Sequence, residues 1–166
     1  MKALFRNIFL FTGLIFGLIL TSCNKDDDGN GPTYDFKDQN LQGKIDGIDF
    51  NLGDGAVDLF NEELSFNLYS DQESTAACDL FGFGDFVQVF FAIPEETGLL
   101  ELNLNLSSGD GETVTMFNPE NSLNVIATEG AIVITEITET TVSGKMDIQF
   151  DEDNFINGNF TAEFCP

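Results

Sequence analysis

Hydrophobic patterning divides the chain into three zones. From Ile8 to Leu20 nearly every position is apolar, with breaks at Thr12, Gly13 and Gly17. From Asn24 to Asn40 the chain is polar, rich in Gly and Asp, and has no hydrophobic period, which predicts a flexible linker. From Leu41 onward short apolar/polar alternations are separated by Gly, Asp, Asn and Pro. Period-two alternation with that punctuation predicts strands.

Leu41 to Asp46 and Ile48 to Leu52 predict one strand or a hairpin about Asp46-Gly47, because Asp-Gly favours a two-residue turn. Ala56 to Phe60 reads as a separate short strand. Leu64, Phe66 and Leu68 alternate with Ser65, Asn67 and Tyr69, a half-buried strand. Ser70 to Asp85 is a longer loop that carries Cys78 and Phe81-Gly82-Phe83-Gly84. Its two Phe either plug the end of the domain or offer an apolar contact to a partner. Phe86 to Ile93 is apolar on both faces except at Gln88, which predicts a central strand covered on both sides. After a turn at Pro94 to Gly98, Leu100, Leu102, Leu104 and Leu106 alternate with Glu101, Asn103 and Asn105. A helix would scatter those four Leu around its circumference, so a strand is predicted. Ser107 to Gly111 reads as a hairpin loop. Glu112 to Phe117, Ser122 to Thr128 and Ala131 to Ile137 are three more strands, with turns at Asn118-Pro119 and Glu129-Gly130.

The chain closes on a strong hairpin. Val142, Gly144, Met146, Ile148 and Phe150 share one face, Asp151 to Asn154 turns, and Ile156, Gly158, Phe160, Ala162 and Phe164 share a face on return. Val142-Ser143-Gly144-Lys145-Met146 and Asn157-Gly158-Asn159-Phe160 resemble the closing hairpin of small Bacteroidetes-type outer-membrane lipoproteins of unassigned function. That pattern reads Val-Ser-Gly-Thr-Phe and then x-Gly-x-Phe, and this chain departs from it at Lys145 and Met146. Leu41-Gln42-Gly43-Lys44-Ile45-Asp46-Gly47 is similar to the family's opening. The resemblance implies an all-β domain and transfers no catalytic residue. With about nine to ten strands and no long helix, the pattern independently predicts an all-β fold, either an antiparallel β-sandwich or a closed barrel.

The N-terminal zone supplies an address. Lys2 and Arg6 precede the apolar run, which is too short and too broken by Gly for a settled membrane span and reads as the core of a signal peptide. Leu20-Thr21-Ser22-Cys23 follows, and it resembles the lipobox of bacterial lipoproteins. The resemblance implies cleavage before Cys23 and acylation of its sulfur, and several acyl chains at about 0.8 kcal/mol per buried methylene anchor a protein stably. Lys25-Asp26-Asp27 resembles the surface-export signal of Bacteroidetes-type lipoproteins, which implies display on the outer face of the outer membrane. The alternative is a plain solvated linker. The expected organisation is therefore a signal peptide over residues 1–22, a lipidated Cys and flexible acidic tether over 23–40, and an all-β domain over 41–166. A coil the length of that tether spans about 20–25 Å root-mean-square.

Composition sharpens the exclusions. All 29 acidic residues lie beyond the expected cleavage point, whereas two of the 6 basic residues, Lys2 and Arg6, lie before it. Such an acidic chain is a poor match for nucleic acid or anionic lipid heads. The 42% hydrophobic content and 18 Phe exclude a disordered acidic chain. With Cys23 assigned to lipid, Cys78 and Cys165 remain as an even pair in an exported chain, which reads as a disulfide. Closing so long a loop stabilises by about 4–5 kcal/mol in the chain-entropy picture. Two free thiols or a metal pair is the rival reading, and a chain without His supplies thiolate metal sites poorly.

The absence of His also removes Ser-His-Asp and Cys-His catalysis, and no phosphate-cradling Gly-rich loop is present. No catalytic residue and no cofactor is assigned. Acidic residues are numerous enough that pairs at glycosidase spacing arise by chance, so a carboxylate-based hydrolase is the lesser alternative. Calcium is the most plausible ion. Asp46, Asp49, Asn51 and Asp54 cluster near one turn, and Asp151, Glu152, Asp153 and Asn154 crowd another. Neither follows the EF-hand pattern, and both also read as solvated hairpin tips. The sequence thus predicts a non-enzymatic, lipid-anchored envelope protein that binds an outer-membrane partner or an extracellular glycan. Its rival is a structural lipoprotein without a ligand.

Overall fold

The computed structural model describes residues 33–70, 77–80, 86–104 and 112–166. Among these residues, ten strands follow in order: β1 (Gln42–Ile45), β2 (Ile48–Phe60), β3 (Glu63–Ser70), β4 (Gln88–Pro94), β5 (Gly98–Glu101), β6 (Val114–Asn118), β7 (Leu123–Ala127), β8 (Glu129–Ile137), β9 (Thr141–Asp151) and β10 (Asn154–Phe164). A short 3-10 helix covers Ala77–Leu80. The strands form one sheet in the order β5-β8-β9-β10-β1-β2-β3-β4-β6-β7. Pairing is antiparallel throughout, except where Glu163 and Phe164 of β10 run parallel to Ala56 and Val57 of β2. That contact forms where β1 ends and its two neighbours meet directly.

The sheet does not close, since β5 and β7 remain as edges. The closed barrel is excluded, and the sheet curls over a single core instead. Phe160 of β10 packs edge-on against Phe66 of β3 and Phe91 of β4, with centroids at 5.8 and 6.0 Å, while Phe66 and Phe91 stack at 4.5 Å. β7 also packs against β9 and β10, which lie far from it in strand order. Thr128 alone joins β7 to β8, so one extended segment turns the corner between the two layers, as in packed sheets whose strands switch layer.

The Asp46-Gly47 hairpin is present, and both residues have positive φ, 54° and 74°, as a type I′ turn requires. Four expectations change. The two short strands expected over Ile48–Leu52 and Ala56–Phe60 are one strand, because Gly53-Asp54-Gly55 forms a β-bulge rather than a break. β4 is central but has core cover on one face. Val89, Phe91 and Ile93 are buried, whereas Phe90 is half-buried and Ala92 exposed on the other side. The Leu alternation yields a strand only to Glu101; Leu102 N–H then bonds the Gly130 carbonyl and Asn103 N–H the Glu112 carbonyl, leaving Leu104 exposed. Glu129-Gly130 lies inside β8, not in a turn. The expected loop Phe81 and Phe83, and the loop over Ser107–Gly111, lie outside the described residues.

A second, smaller cluster sits on the outer face of the sheet. Tyr69 alternates away from the main core yet is fully buried, packed with Ala56, Ala77, Cys78, Leu80, Phe86 and Cys165. Its hydroxyl donates to the Leu80 carbonyl at 2.8 Å, and Asp54 accepts from the Ala77 N–H at 2.9 Å. The Cys78–Cys165 disulfide completes this cluster, as expected from the sequence, and staples the C-terminus to the 3-10 helix.

The ordered domain begins earlier than Leu41. Residues 33–40, assigned by pattern to the tether, lie as a strap across the outer face of β10 and β9. Asn157 is the clamp. Its amide donates to the Asp35 carbonyl at 2.9 Å and to the Asp147 carboxylate at 2.7 Å, and its oxygen accepts from the Lys37 N–H at 2.9 Å. The Gln39 side-chain amide donates to the Asn157 carbonyl, Asn159 N–H donates to the Gln39 carbonyl, and Asp38 accepts from the Asn159 side-chain amide. Burial and then the neighbouring Glu101 carboxylate of β5 raise the pKa of the Tyr34 hydroxyl, so the strap reaches the β5 edge.

Candidate functional site

The two acidic turns singled out in the sequence do not each gather their carboxylates into one cluster. β2 rises about 3.3 Å per residue, so Asp49, Asn51 and Asp54 are spread along roughly 15 Å of strand instead of converging with Asp46. Asp49 stands opposite Lys44 on β1, and Asp54 is engaged with the Gly55 and Ala77 N–H groups. The turns meet each other in another way. Asp46 N–H bonds the Asn154 side chain at 2.8 Å, and Gly47 N–H bonds the Asp153 carbonyl at 3.0 Å. The Asp46 carboxylate accepts from the amides of Asn118 and Asn121 in the β6–β7 turn. The Asp151 carboxylate accepts from Asp153 N–H and from the Asn154 amide. The β1–β2 tip is thus tied to the β9–β10 tip through backbone N–H groups and to the β6–β7 tip through the Asp46 carboxylate, while the Asp151 carboxylate braces its own turn. Among the described residues no group of three or more His, Cys, Asp or Glu is arranged to hold a metal ion. Cys23, Lys25, Asp26 and Asp27 lie outside the described residues.

Among the described residues, an open groove of about 590 Å³ lies on the outer face of β3, β4 and β6. Register places Asn67, Phe90 and Thr115 side by side in one row across its floor. The same row continues to Ile126 of the edge strand β7, which is 44% exposed. Neighbouring strands lie about 4.8 Å apart, so this row spans some 10 Å between its Asn67 and Thr115 ends. Ser65 lies on one side, and the carboxylates of Glu63 and Glu112 stand at one end. Burial, and then the nearby Glu63 carboxylate, raise the pKa of Glu112 above the usual glutamate value. Two carboxylates close enough to couple, with no basic residue in the lining, make this end a place that favours positive charge.

Two register positions away on the same face, Gln88 lies between Tyr69 and Phe117. It is fully buried, and neither atom of its amide has a hydrogen-bond partner. Sequence reading singled out Gln88 only as an interruption of an apolar strand. It did not find the groove, because Glu63 and Glu112 are nearly fifty residues apart in sequence and meet only through the β3–β4–β6 pairing. The visible signal was weaker: polar Ser65 and Asn67 on the face of β3 opposite the core.

Comparison with protein families, with curated proteins and with solved structures finds no match for this chain.

Proposed function

We propose that this chain is a lipid-anchored cell-envelope binding module that presents the β3–β4–β6 groove to an extracellular ligand. The observation that carries the binding reading is the groove itself: amide and hydroxyl side chains across its floor, apolar side chains beneath them, and two neighbouring carboxylates at one end. Ligand sites combine apolar lining with a few convergent polar groups in this way, at volumes of about 300–1,000 Å³. The anchor reading is carried by Leu20-Thr21-Ser22-Cys23, and surface display by Lys25-Asp26-Asp27. The disulfide supports export, since such bonds persist in oxidising compartments.

Binding is tested by titrating a panel of soluble oligosaccharides and peptides against the full chain in detergent, native and Asn67→Ala. At least one probe is expected to bind saturably to the native protein and weaken by about tenfold in the variant, the loss of a hydrogen bond to the groove floor. Binding by none, or binding indifferent to Asn67, contradicts the reading. Display is tested by protease shaving of intact cells, in which the native domain is cut and a Lys25, Asp26 and Asp27 to Ala variant is protected. The same groove favours one second reading, a carboxylate-based hydrolase, because Glu112 is a raised carboxyl beside another carboxylate. Turnover of an oligosaccharide that Glu112→Gln abolishes would replace binding by catalysis.

A further inference from the structure

We infer that a second groove, on the outer face of β1, β2 and β10, takes an acidic oligosaccharide whose carboxylate bridges Lys37 of the strap and Lys44 of β1. This groove has a volume of about 410 Å³ and shares no lining residue with the β3–β4–β6 groove, so the inference stands apart from the reading above. The first observation is charge. The whole chain carries 29 acidic against 6 basic residues, yet two of the three Lys among the described residues line this one groove. Neither ammonium forms an ion pair or donates a hydrogen bond among those residues. Asp49 is the one carboxylate in the lining, and the nearby Asp147 and Asp38 carboxylates already accept from the Asn157 and Asn159 amides. Physiological salt screens exposed charges beyond about 8 Å, so the local ammonium pair, not the acidic surface at large, decides what an anion meets here.

The second observation is the set of polar groups beside the cations. Register aligns Asn157, Gln42 and Asn51 in one row, and Phe155, Lys44 and Asp49 in the next row on the same face. The side-chain amides of Gln42 and Asn51 have no partner among the described residues. Each amide both donates and accepts, which matches the hydroxyls of a sugar. An acidic sugar brings those hydroxyls together with a carboxylate, which an ammonium binds by a charge-assisted hydrogen bond. A peptide would find less, because β1 lies between β10 and β2 and offers no open edge for main-chain pairing. The third observation is that the walls come from two segments. Lys37 belongs to the strap, where its N–H bonds the Asn157 side chain at 2.9 Å, and Lys44 belongs to the sheet. One carboxylate held by both ties the strap to the sheet, so ligand binding and strap docking stabilise each other.

The test uses the full chain in detergent and three probes: tetragalacturonate, its fully methyl-esterified counterpart, and tetraglutamate. Calorimetric titration at neutral pH is expected to show the acid form binding about tenfold or more tightly than the ester, as a charge-assisted hydrogen bond implies. Lys37→Gln and Lys44→Gln should each bring the acid form down toward the ester. Lys145→Gln removes the same charge beside Asn159, outside the groove lining, and should leave the preference as it is. Thermal melts of each variant check that it is folded. In the native protein saturated with tetragalacturonate, the Lys37 N–H should exchange with solvent more slowly, while amides of the β3–β4 pairing keep their rates. Equal binding of acid and ester, or a preference that Lys145→Gln erodes as much as Lys44→Gln does, overturns the assignment to this groove. Unchanged exchange at Lys37 on saturation overturns the bridging carboxylate. Tetraglutamate binding as tightly as tetragalacturonate overturns the sugar assignment. Absence of binding by all three overturns the inference outright, while the β3–β4–β6 groove is decided separately through Asn67.

Discussion

A Cβ added at Gly144 would lie 2.6 Å from the Phe160 ring and 2.6 Å from the Val133 carbonyl oxygen. The ring has little room to move, because it is wedged against Phe66 and Phe91, and the carbonyl belongs to a paired strand. Gly144→Ala is therefore expected to destabilise by about 1–3 kcal/mol through overpacking, read as a lower urea midpoint at unchanged slope. Gln88 works in the opposite sense. Its buried, unpartnered amide carries a desolvation cost with no compensating bond, so Gln88→Met should stabilise by about 1–3 kcal/mol in the same assay. Loss of stability in that variant would mean that the amide does make a polar contact in solution. Glu112 adds a pH signature. Its folded pKa is raised, so its charge opposes folding at neutral pH, and the opposition fades as pH falls through the folded value to the ordinary one. Glu112→Gln should accordingly raise the melting temperature at neutral pH and leave it unchanged well below the ordinary glutamate pKa. An equal gain at both pH values contradicts the raised Glu112 pKa.

At the scale of elements, the hairpins were readable because each one is local. Asp46-Gly47 announces its turn, and the alternation of Val142 through Ile148 announces its buried face. The same pattern overreached at Phe150, which continues the alternation but is 53% exposed, because β9 there runs past the end of the core. β2 was read as two strands because Gly53-Asp54-Gly55 has turn composition, and a bulge has the same composition as a turn. The strap was hidden for a different reason. Residues 33–40 contribute almost no apolar period, and they dock through side chains of Asn157 and Asn159 more than a hundred residues away. Gly158 permits the close approach, for a Cβ there would lie 2.7 Å from the Asn40 carbonyl oxygen. Asn157→Ala removes the clamp. Lys37 N–H, which now donates to the Asn157 oxygen, should exchange with solvent markedly faster, while amides of the β3–β4 pairing keep their protection. Unchanged exchange at Lys37 would show that the strap is held by other contacts.

At the scale of the whole fold, the ten strands among the described residues curl around one core without closing, and a disulfide ties the last residues to the outer-face cluster. All-β class and the Cys78–Cys165 pair follow from period-two patterning and an even cysteine count. Strand order could not be read in the same way. It depends on β8 joining the far layer after a single residue, Thr128, and nothing local to Thr128 marks it as a corner. The groove inherits that difficulty, since it exists only once β6 has paired with β4. The strap also takes residues 33–40 out of the proposed tether, which shortens it from Cys23–Asn40 to Cys23–Pro32. A coil of that length spans about 16–19 Å root-mean-square, less than the pattern alone implied. The proposed anchoring and display of this domain both hang on one atom, the Cys23 sulfur. The most direct measurement is fractionation of cells expressing the native chain and a Cys23→Ser variant, with intact mass of the purified products. The account predicts that the native protein is found with membranes, begins at Cys23 and carries added acyl mass, while the variant is released from the membrane fraction. A native protein that retains Met1, or a Cys23→Ser variant that stays with the membrane, would contradict it.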